Sequence, residues 1–449
     1  MLCAIPMEIT SRELDGVLYL ALHLAKRGLP TLFGERMVHE YIFRIYDGRP
    51  VVYFDQDQNA TVNQRVIDTG GLVVNLNAEG QNLDVYPQLL DMFAKVAPTF
   101  TAMFVRGDKQ RESLVRAFPE DRKHCVIATG HPSFDMLDSR FNAYHESPDI
   151  VARHGRDFIQ INTQFVSFNH KMGFDHYLKL LATLDEWKDL YTNEEFLATT
   201  QRQRDYEEKV ALEFVGMAQQ VAKAFPGRHV IVRPHPMEGR EFYMRRLSGI
   251  DNLFIEPDGP VRPWLASSAA LIHHSCTTGV EALLMGKHVI RFEPVGDAVE
   301  KNMQSNAGIL AKTTDEIIAL IDSAAMPQDE RRAQLELMRP HMANIGGLLA
   351  APIIADHVAK LAEGGRTWLP EKLGTWESAK CWRKYCSKVL RSRQPGRVGK
   401  KVRYALEKFP RLPFAEVQRL VDKLRAADPG LPAVELRHLG LNTFLMKPE

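Results

Sequence analysis

Two stretches of this 449-residue chain carry residue types that suit phosphate chemistry. VIVRPHP at 230–236 ends an apolar run in Arg233 and His235, each followed by a proline that holds the residue before it extended. Arg and His at a strand end can donate hydrogen bonds to phosphate or carboxylate oxygens. HHSCTTGVEALLMGKHVIRFEP at 273–294 runs from an apolar strand into Ser275, Thr277, Thr278 and Gly279, then into a helix carrying Glu281. Hydroxyls and backbone N–H groups at a helix start form an anion site. Glu281, one turn in, is placed to accept hydrogen bonds from ribose hydroxyls. Each stretch alone has a plainer reading: a histidine satisfied by local carbonyls, or a helix N-capped by Thr277 or Thr278. The pair points to a nucleotide site.

The candidates for bond-breaking chemistry lie in the first third of the chain. Glu8 closes an apolar run, with Arg12, Glu13 and Asp15 at the following helix start; Glu79 precedes Gly80; Asp135 follows a Gly-His-Pro turn. Acids in a first helical turn also stabilise the helix dipole, which explains Glu13 and Asp15 but not Glu8. One carboxylate can act as nucleophile and a second as acid/base, so Glu8, Glu79 and Asp135 are the catalytic candidates. Asp135 reads equally as a helix N-cap. Asn162, Thr163, Asn169 and His170 form a further polar loop suited to sugar contact. The nearest approach to a metal motif is Asp55-Gln56-Asp57, and neither a metal nor a cofactor is expected. Five scattered cysteines, an odd number, indicate reduced thiols.

Positioning these groups falls to alternating strands and helices. CAIPME, LPTLFG, VVYFD, LVVNL, AMFV and CVIAT read as strands separated by amphipathic helices, the first from Ser11 to Arg27. A second series follows: DFIQINTQF, a helical stretch from Phe174 to Phe225, HVIVRPHP, NLFIEP, AALIHHS and HVIRFEP. A helical segment from Gln328 to Leu361 closes it. Such alternation predicts parallel doubly wound sheets. The expected fold is α/β: two Rossmann-like domains, residues 1–145 and 146–363, facing a cleft in the GT-B arrangement, plus a basic, mainly helical extension over 364–449. Ligands in such sheets bind beyond the carboxyl ends of the strands, where the motifs fall.

Hydrophobic residues at 45% and charged residues at 25% describe an ordinary globular chain and exclude disordered, collagenous and coiled-coil classes. No apolar run nears the ~20 residues a membrane-spanning helix needs, and no signal peptide is evident, so a cytoplasmic location is expected. The net charge of +1 hides an asymmetry. Residues 366–449 hold 19 Lys and Arg against 8 Asp and Glu, a net +11, leaving −10 for the rest. Ten basic residues fall between Lys380 and Arg403 without an acid. The two expectations for this tail are peripheral attraction to the anionic inner face of a membrane, or packing against the acidic body; no motif accompanies it that would indicate nucleic acid.

RPHP followed by S-x-T-T-G-x-E-A-L resembles the nucleotide-binding half of capsule-type GT-B glycosyltransferases. IPMEITSRELD (5–15), LNAEG (76–80), FVRGDKQ (104–110), TGHPSFDML (129–137) and INTQF (161–165) resemble bacterial surface carbohydrate biosynthesis proteins, to which the retaining Kdo transferase modules of capsule and O-antigen assembly are similar. The resemblance covers residues 1–360. It implies transfer of Kdo or a related acidic sugar from a CMP-activated donor, with retention, to a lipid-linked or oligosaccharide acceptor. It also implies Asp135 as nucleophile, Glu79 as acid/base, Arg12 and the 162–170 loop at the sugar or acceptor, and no metal. Three alternatives share the architecture: a CDP-polyol phosphotransferase, a nucleotide-sugar 2-epimerase, and a non-catalytic GT-B-like assembly subunit.

Overall fold

The computed structural model describes residues 1–35, 48–56, 58–76, 87–182, 194–296, 307–323, 326–372 and 374–449. Two compact α/β units divide the chain. The first comprises Met1–Met136 together with Arg339–Glu449, and the second Leu137–Met338. This differs from the expected three consecutive segments. The chain returns to its first unit 25 residues before position 364, so helix Ala350–Leu361 belongs to the first unit and only helix Gln328–Met338 to the second.

The first unit is built on an eight-stranded sheet. Its parallel strands are β1 (Leu2–Met7), β2 (Thr31–Glu35), β3 (Val51–Asp55), β4 (Leu72–Asn75), β5 (Ala102–Val105) and β6 (Val126–Ala128). They lie in the spatial order β2-β1-β3-β4-β5-β6. β1 is buried along its whole length, as expected of a parallel strand covered on both faces. It contains Pro6, which a central strand rarely tolerates, but pairing with β3 stops at Ala4.

The C-terminal extension is part of this sheet. After the second unit's strands, described below, the last two strands are β13 (Val434–Gly440) and β14 (Thr443–Pro448), an antiparallel hairpin. β14 pairs antiparallel with β2, stacking Phe444 on Phe33 with ring centroids 5.6 Å apart. Asn442 turns the hairpin at φ 53°, and its side chain donates to Glu35 at 3.1 Å and accepts from the Leu412 N–H at 2.9 Å. The close crossing also explains Gly34. Its φ is +154°, and a Cβ there would lie 2.1 Å from the Asn442 carbonyl oxygen.

The second unit holds a six-stranded parallel sheet: β7 (Ile159–Asn162), β8 (Val230–Arg233), β9 (Leu253–Ile255), β10 (Ala270–His273), β11 (His288–Phe292) and β12 (Ile309–Ala311). Their spatial order is β12-β11-β10-β7-β8-β9. This is the doubly wound dinucleotide-fold order, and the direction of winding reverses between β7 and β10. Helix Glu194–Ala224 packs its Val210, Phe214, Ala218 and Val221 face into the core beside Ile161, Val230 and Ile272. Within the expected helical stretch from Phe174 to Phe225, Phe174–Ala182 and Glu194–Ala224 are helical. The α/β class and both doubly wound sheets agree with the sequence pattern.

Candidate functional site

The winding reversal between β7 and β10 is where an open α/β sheet offers a crevice to ligands, and the strands deliver their polar ends there. Asn162 ends β7, Arg233 ends β8, His273 ends β10. Asn162 Nδ2 donates to Thr278 Oγ1 at 2.9 Å, tying the end of β7 to the start of helix Thr277–Leu284. That helix has Cys276 at its N-cap, where its Sγ lies 2.6 Å from Thr278 Oγ1 and its carbonyl accepts from the Gly279 N–H at 3.1 Å. Ser275 is half-buried and Thr277 exposed beside it. Glu281, half-buried, pairs with Arg262 at 3.3 Å.

Arg233 does different work from the phosphate donor expected of it. Its guanidinium donates to the carbonyl oxygens of Glu256 (2.6 Å), Asp258 (3.2 Å) and Gly259 (3.0 Å), and stacks 4.6 Å from the Trp264 ring centroid. Burial lowers its pKa to about 10. Three carbonyls held by one fork make Arg233 the clasp of the 256–259 loop. Gly279 is likewise a packing residue, because a Cβ there would lie 2.2 Å from the buried His273 ring. We therefore expect Gly279→Ala to destabilise the second unit by ~1–3 kcal/mol through overpacking, against the ~1 kcal/mol that alanine gains over glycine inside a helix. A urea midpoint equal to the parent's would show that the His273 ring moves aside freely.

His235 is half-buried just beyond the end of β8. Its Nδ1 accepts from the Met237 N–H at 3.2 Å, which places the neutral ring's proton on Nε2. Burial, with Lys171 nearby, holds the imidazole below its usual pKa. Two buried glutamates that sequence reasoning missed brace this region. Glu238 accepts from Tyr243 Oη (2.6 Å), Thr163 Oγ1 (2.9 Å) and the His235 N–H (3.0 Å). Glu207 accepts from the N–H groups of Ser167 and Phe168 at 2.9 and 3.2 Å. Burial raises both carboxyls. No periodicity marks a single acid in a polar loop, as Glu238 is, or on a helix as rich in charge as the one that carries Glu207, so neither was visible beforehand.

The loop expected to touch sugar is partly structural. Asn169 Nδ2 donates to the Gly239 carbonyl at 2.9 Å, and Gly239 N–H returns a bond to the Asn169 carbonyl at 2.8 Å. His170 is buried, accepts from the Met172 N–H through Nδ1 at 3.1 Å, and bridges to Glu238 through the backbone. Its Nε2 has no hydrogen-bond partner among the described residues. Asn162, at the end of β7, also accepts from Gln160 Nε2 at 2.8 Å, so of these residues His170 is the one that keeps a ligand-directed reading.

In the first unit the winding reverses between β1 and β3, and Glu8 follows the end of β1. Glu8 is half exposed and pairs with Lys408 at 2.9 Å. Glu13 reaches back to cap its own helix, accepting from the N–H groups of Glu8 and Ile9 at 3.0 and 3.1 Å, and lies 3.7 Å from Arg12. Asp135 corrects the expectation of a nucleophile. It is buried, and its two oxygens accept from the N–H groups of Ala350 and Ala351, each at 2.7 Å. Leu349, the N-cap of helix Ala350–Leu361, has no capping side chain, so Asp135 caps that helix from 215 residues away. A carboxylate held on both oxygens in a buried site is poorly placed to attack an anomeric carbon. Glu79 lies outside the described residues. Among the described residues no group of three or more His, Cys, Asp or Glu is arranged to hold a metal.

No protein-family model matches the sequence, and no curated protein does. Comparison with solved structures gives superpositions at low identity. A Listeria monocytogenes protein described as a candidate UDP-N-acetylglucosamine 2-epimerase superposes with a TM-score of 0.48 and 12% identity, over 83% of this chain and 99% of that one. The UDP-GlcNAc 2-epimerase of Neisseria meningitidis, bound to UDP-GlcNAc, gives 0.46 and 12% over 80% and 99%. The wall teichoic acid polymerase TagF gives 0.43 and 12% over 80% and 88%.

Proposed function

We propose that this chain is a GT-B-type enzyme that binds a nucleotide-activated sugar and transfers the sugar in bacterial surface polysaccharide synthesis. The observation that carries the reading is the crevice between β7 and β10. There the Asn162–Thr278 bond, the start of helix Thr277–Leu284, the Ser275 and Thr277 hydroxyls and Glu281 stand together in the dinucleotide-fold strand order. A diphosphate or monophosphate would be met by backbone N–H groups and hydroxyls, and ribose hydroxyls by Glu281. His235 would donate through Nε2. The donor class we favour is a CMP-activated acidic sugar such as Kdo, on the motif resemblance given above. Of the described acid candidates, Glu8 lies exposed just beyond the end of β1 and pairs with Lys408 at 2.9 Å.

The test is calorimetric titration with CMP, CDP, UDP and GDP. One nucleotide should bind, and His235→Ala should weaken it by ~1–3 kcal/mol, the cost of one lost charge-assisted hydrogen bond. Unchanged affinity in the folded variant would move the site elsewhere. Turnover then separates the classes: free nucleotide with sugar transfer supports the proposal, release with a polyol phosphate transferred favours a phosphotransferase, and C2 inversion favours an epimerase.

A further inference from the structure

The basic tail divides into two sets of side chains once it is folded. Lys388 pairs with Glu35 at 3.1 Å and Lys408 with Glu8 at 2.9 Å, so these lysines pin helices Thr375–Ser392 and Gly396–Lys408 to acids at the carboxyl ends of β2 and β1. The same two helices also carry large exposed apolar groups, with Lys408 Nζ 5.1 Å from the Tyr404 ring centroid. Trp376 is 69% exposed, Leu390 64%, Tyr404 60% and Val398 51%. Trp376, Arg383 and Leu390 recur at seven-residue spacing and share one helix face; on the next helix Lys401 is three residues from both Val398 and Tyr404 and neighbours each. Arg383, Arg391, Lys400 and Lys401 are exposed among them.

We propose that this face is a lipid-interface surface, with Trp376, Leu390, Val398 and Tyr404 entering the headgroup boundary and the flanking Arg and Lys binding anionic headgroups. Amphipathic helices with basic rims and Trp, Leu or Tyr on the apolar stripe lie in the plane of a membrane interface. No helix among the described residues is long and apolar enough to cross a membrane, so the attachment is in the plane of the interface. Exposed aliphatic side chains decide between anionic surfaces. Leu390 and Val398 gain nothing on nucleic acid, where aromatic stacking and cations suffice, but gain by burial among acyl chains. The inference does not depend on which sugar the second unit takes. It also places the lipid face on the same helices that hold Glu8, so a lipid-linked acceptor would be held close to that end of the first unit's sheet.

Removing the tail cannot test this, because a cut after Gly365 takes away β13, β14 and the buried Phe444, Leu445 and Met446. Surface substitutions in the full chain can. The parent should sediment with vesicles of phosphatidylcholine containing one-third phosphatidylglycerol, and at least tenfold less with phosphatidylcholine alone. A variant with Arg383→Glu, Arg391→Glu, Lys400→Glu and Lys401→Glu should lose at least tenfold in partitioning, since each basic residue near an anionic surface is worth about fivefold. A variant with Trp376, Leu390, Val398 and Tyr404 all changed to alanine should keep low-salt binding but lose what the parent retains in about 0.5 M salt, where screening removes most of the electrostatic part. Urea midpoints matching the parent confirm that both variants are folded. Equal binding of parent and variants, equal binding to neutral and anionic vesicles, or retention on RNA without retention on vesicles would each overturn the proposal.

Discussion

Asp135→Ala is expected to destabilise the first unit by about 3–5 kcal/mol, because two buried backbone N–H groups lose a charged acceptor at once. Each oxygen of Asp135 accepts one bond at 2.7 Å, from Ala350 and from Ala351. A hydrogen bond to a charged group contributes roughly 1.5–3 kcal/mol, and a carboxylate at a helix N-terminus gains a further few tenths from the dipole. The effect should appear in the urea transition of the first unit and leave that of the second in place. Asp135→Asn should fall between, since the amide keeps one acceptor but sets an NH₂ group against the other N–H. The same substitution separates the two readings of this residue. If the alanine variant unfolds at the parent's urea concentration yet no longer transfers sugar, Asp135 is chemical and the helix finds its cap elsewhere. If stability falls and residual turnover per folded molecule persists, the carboxylate is structural, and Glu8 and Glu79 become the acids to substitute.

That residue also shows where sequence reasoning stops. Strands buried on both faces announce themselves as short apolar runs, and VVYFD and AMFV match β3 and β5 residue for residue. The β13–β14 hairpin carried its own signal: apolar Val434 and Leu436 alternating with Glu435 and Arg437, then Leu441-Asn442 at a turn. Composition hid it, because the basic run before it suggested one helical tail, and its sheet partner β2 lies about 400 residues away in sequence. The motifs were legible as strand ends, and they do sit at strand ends. What each side chain touches was not. Arg233 reads as a phosphate donor until its fork is seen to meet three carbonyls 23 to 26 residues later. Asp135 reads as a nucleophile or a cap of its own helix, and is the cap of another. Local spacing shows which residues leave a sheet edge together; it carries no information on which distant backbone groups have arrived to bind them.

Acidification from pH 7 to pH 5 is expected to draw about 4 kcal/mol from the first unit through His23 and His131 and about 2 from the second through His273, three histidines buried in their neutral form. Burial lowers His131 to about 3, His23 to about 4 and His273 to about 4. His23 and His131 belong to the first unit and His273 to the second. An unfolded histidine titrates near 6.5, so as pH falls the unfolded chain takes up these protons first. The stability contribution is therefore complete above about pH 6.5, falls as pH drops toward 4, and is exhausted below the folded values. At pH 5 each group accounts for about 2 kcal/mol. The structural cause is clearest at His273. Its Nε2 lies 2.8 Å from the Ala307 carbonyl oxygen, to which it donates, and its Nδ1 has no hydrogen-bond partner among the described residues, so protonation would bury a cation with an unmet donor. At His131 the cost is different: Nδ1 accepts from the Ser133 N–H at 3.2 Å, and a proton there removes the cap of the following helix. Glu207 and Glu238 act in the opposite sense, since burial raises their carboxyls and proton uptake at low pH favours the folded state. Comparison with His273→Gln isolates the histidine, because the amide can still donate to Ala307 but does not titrate. Urea midpoints of the second unit at pH 7, 6 and 5 should fall less steeply in that variant, by the equivalent of one proton. Parallel lines for parent and variant would mean that the folded protein accommodates a charged His273.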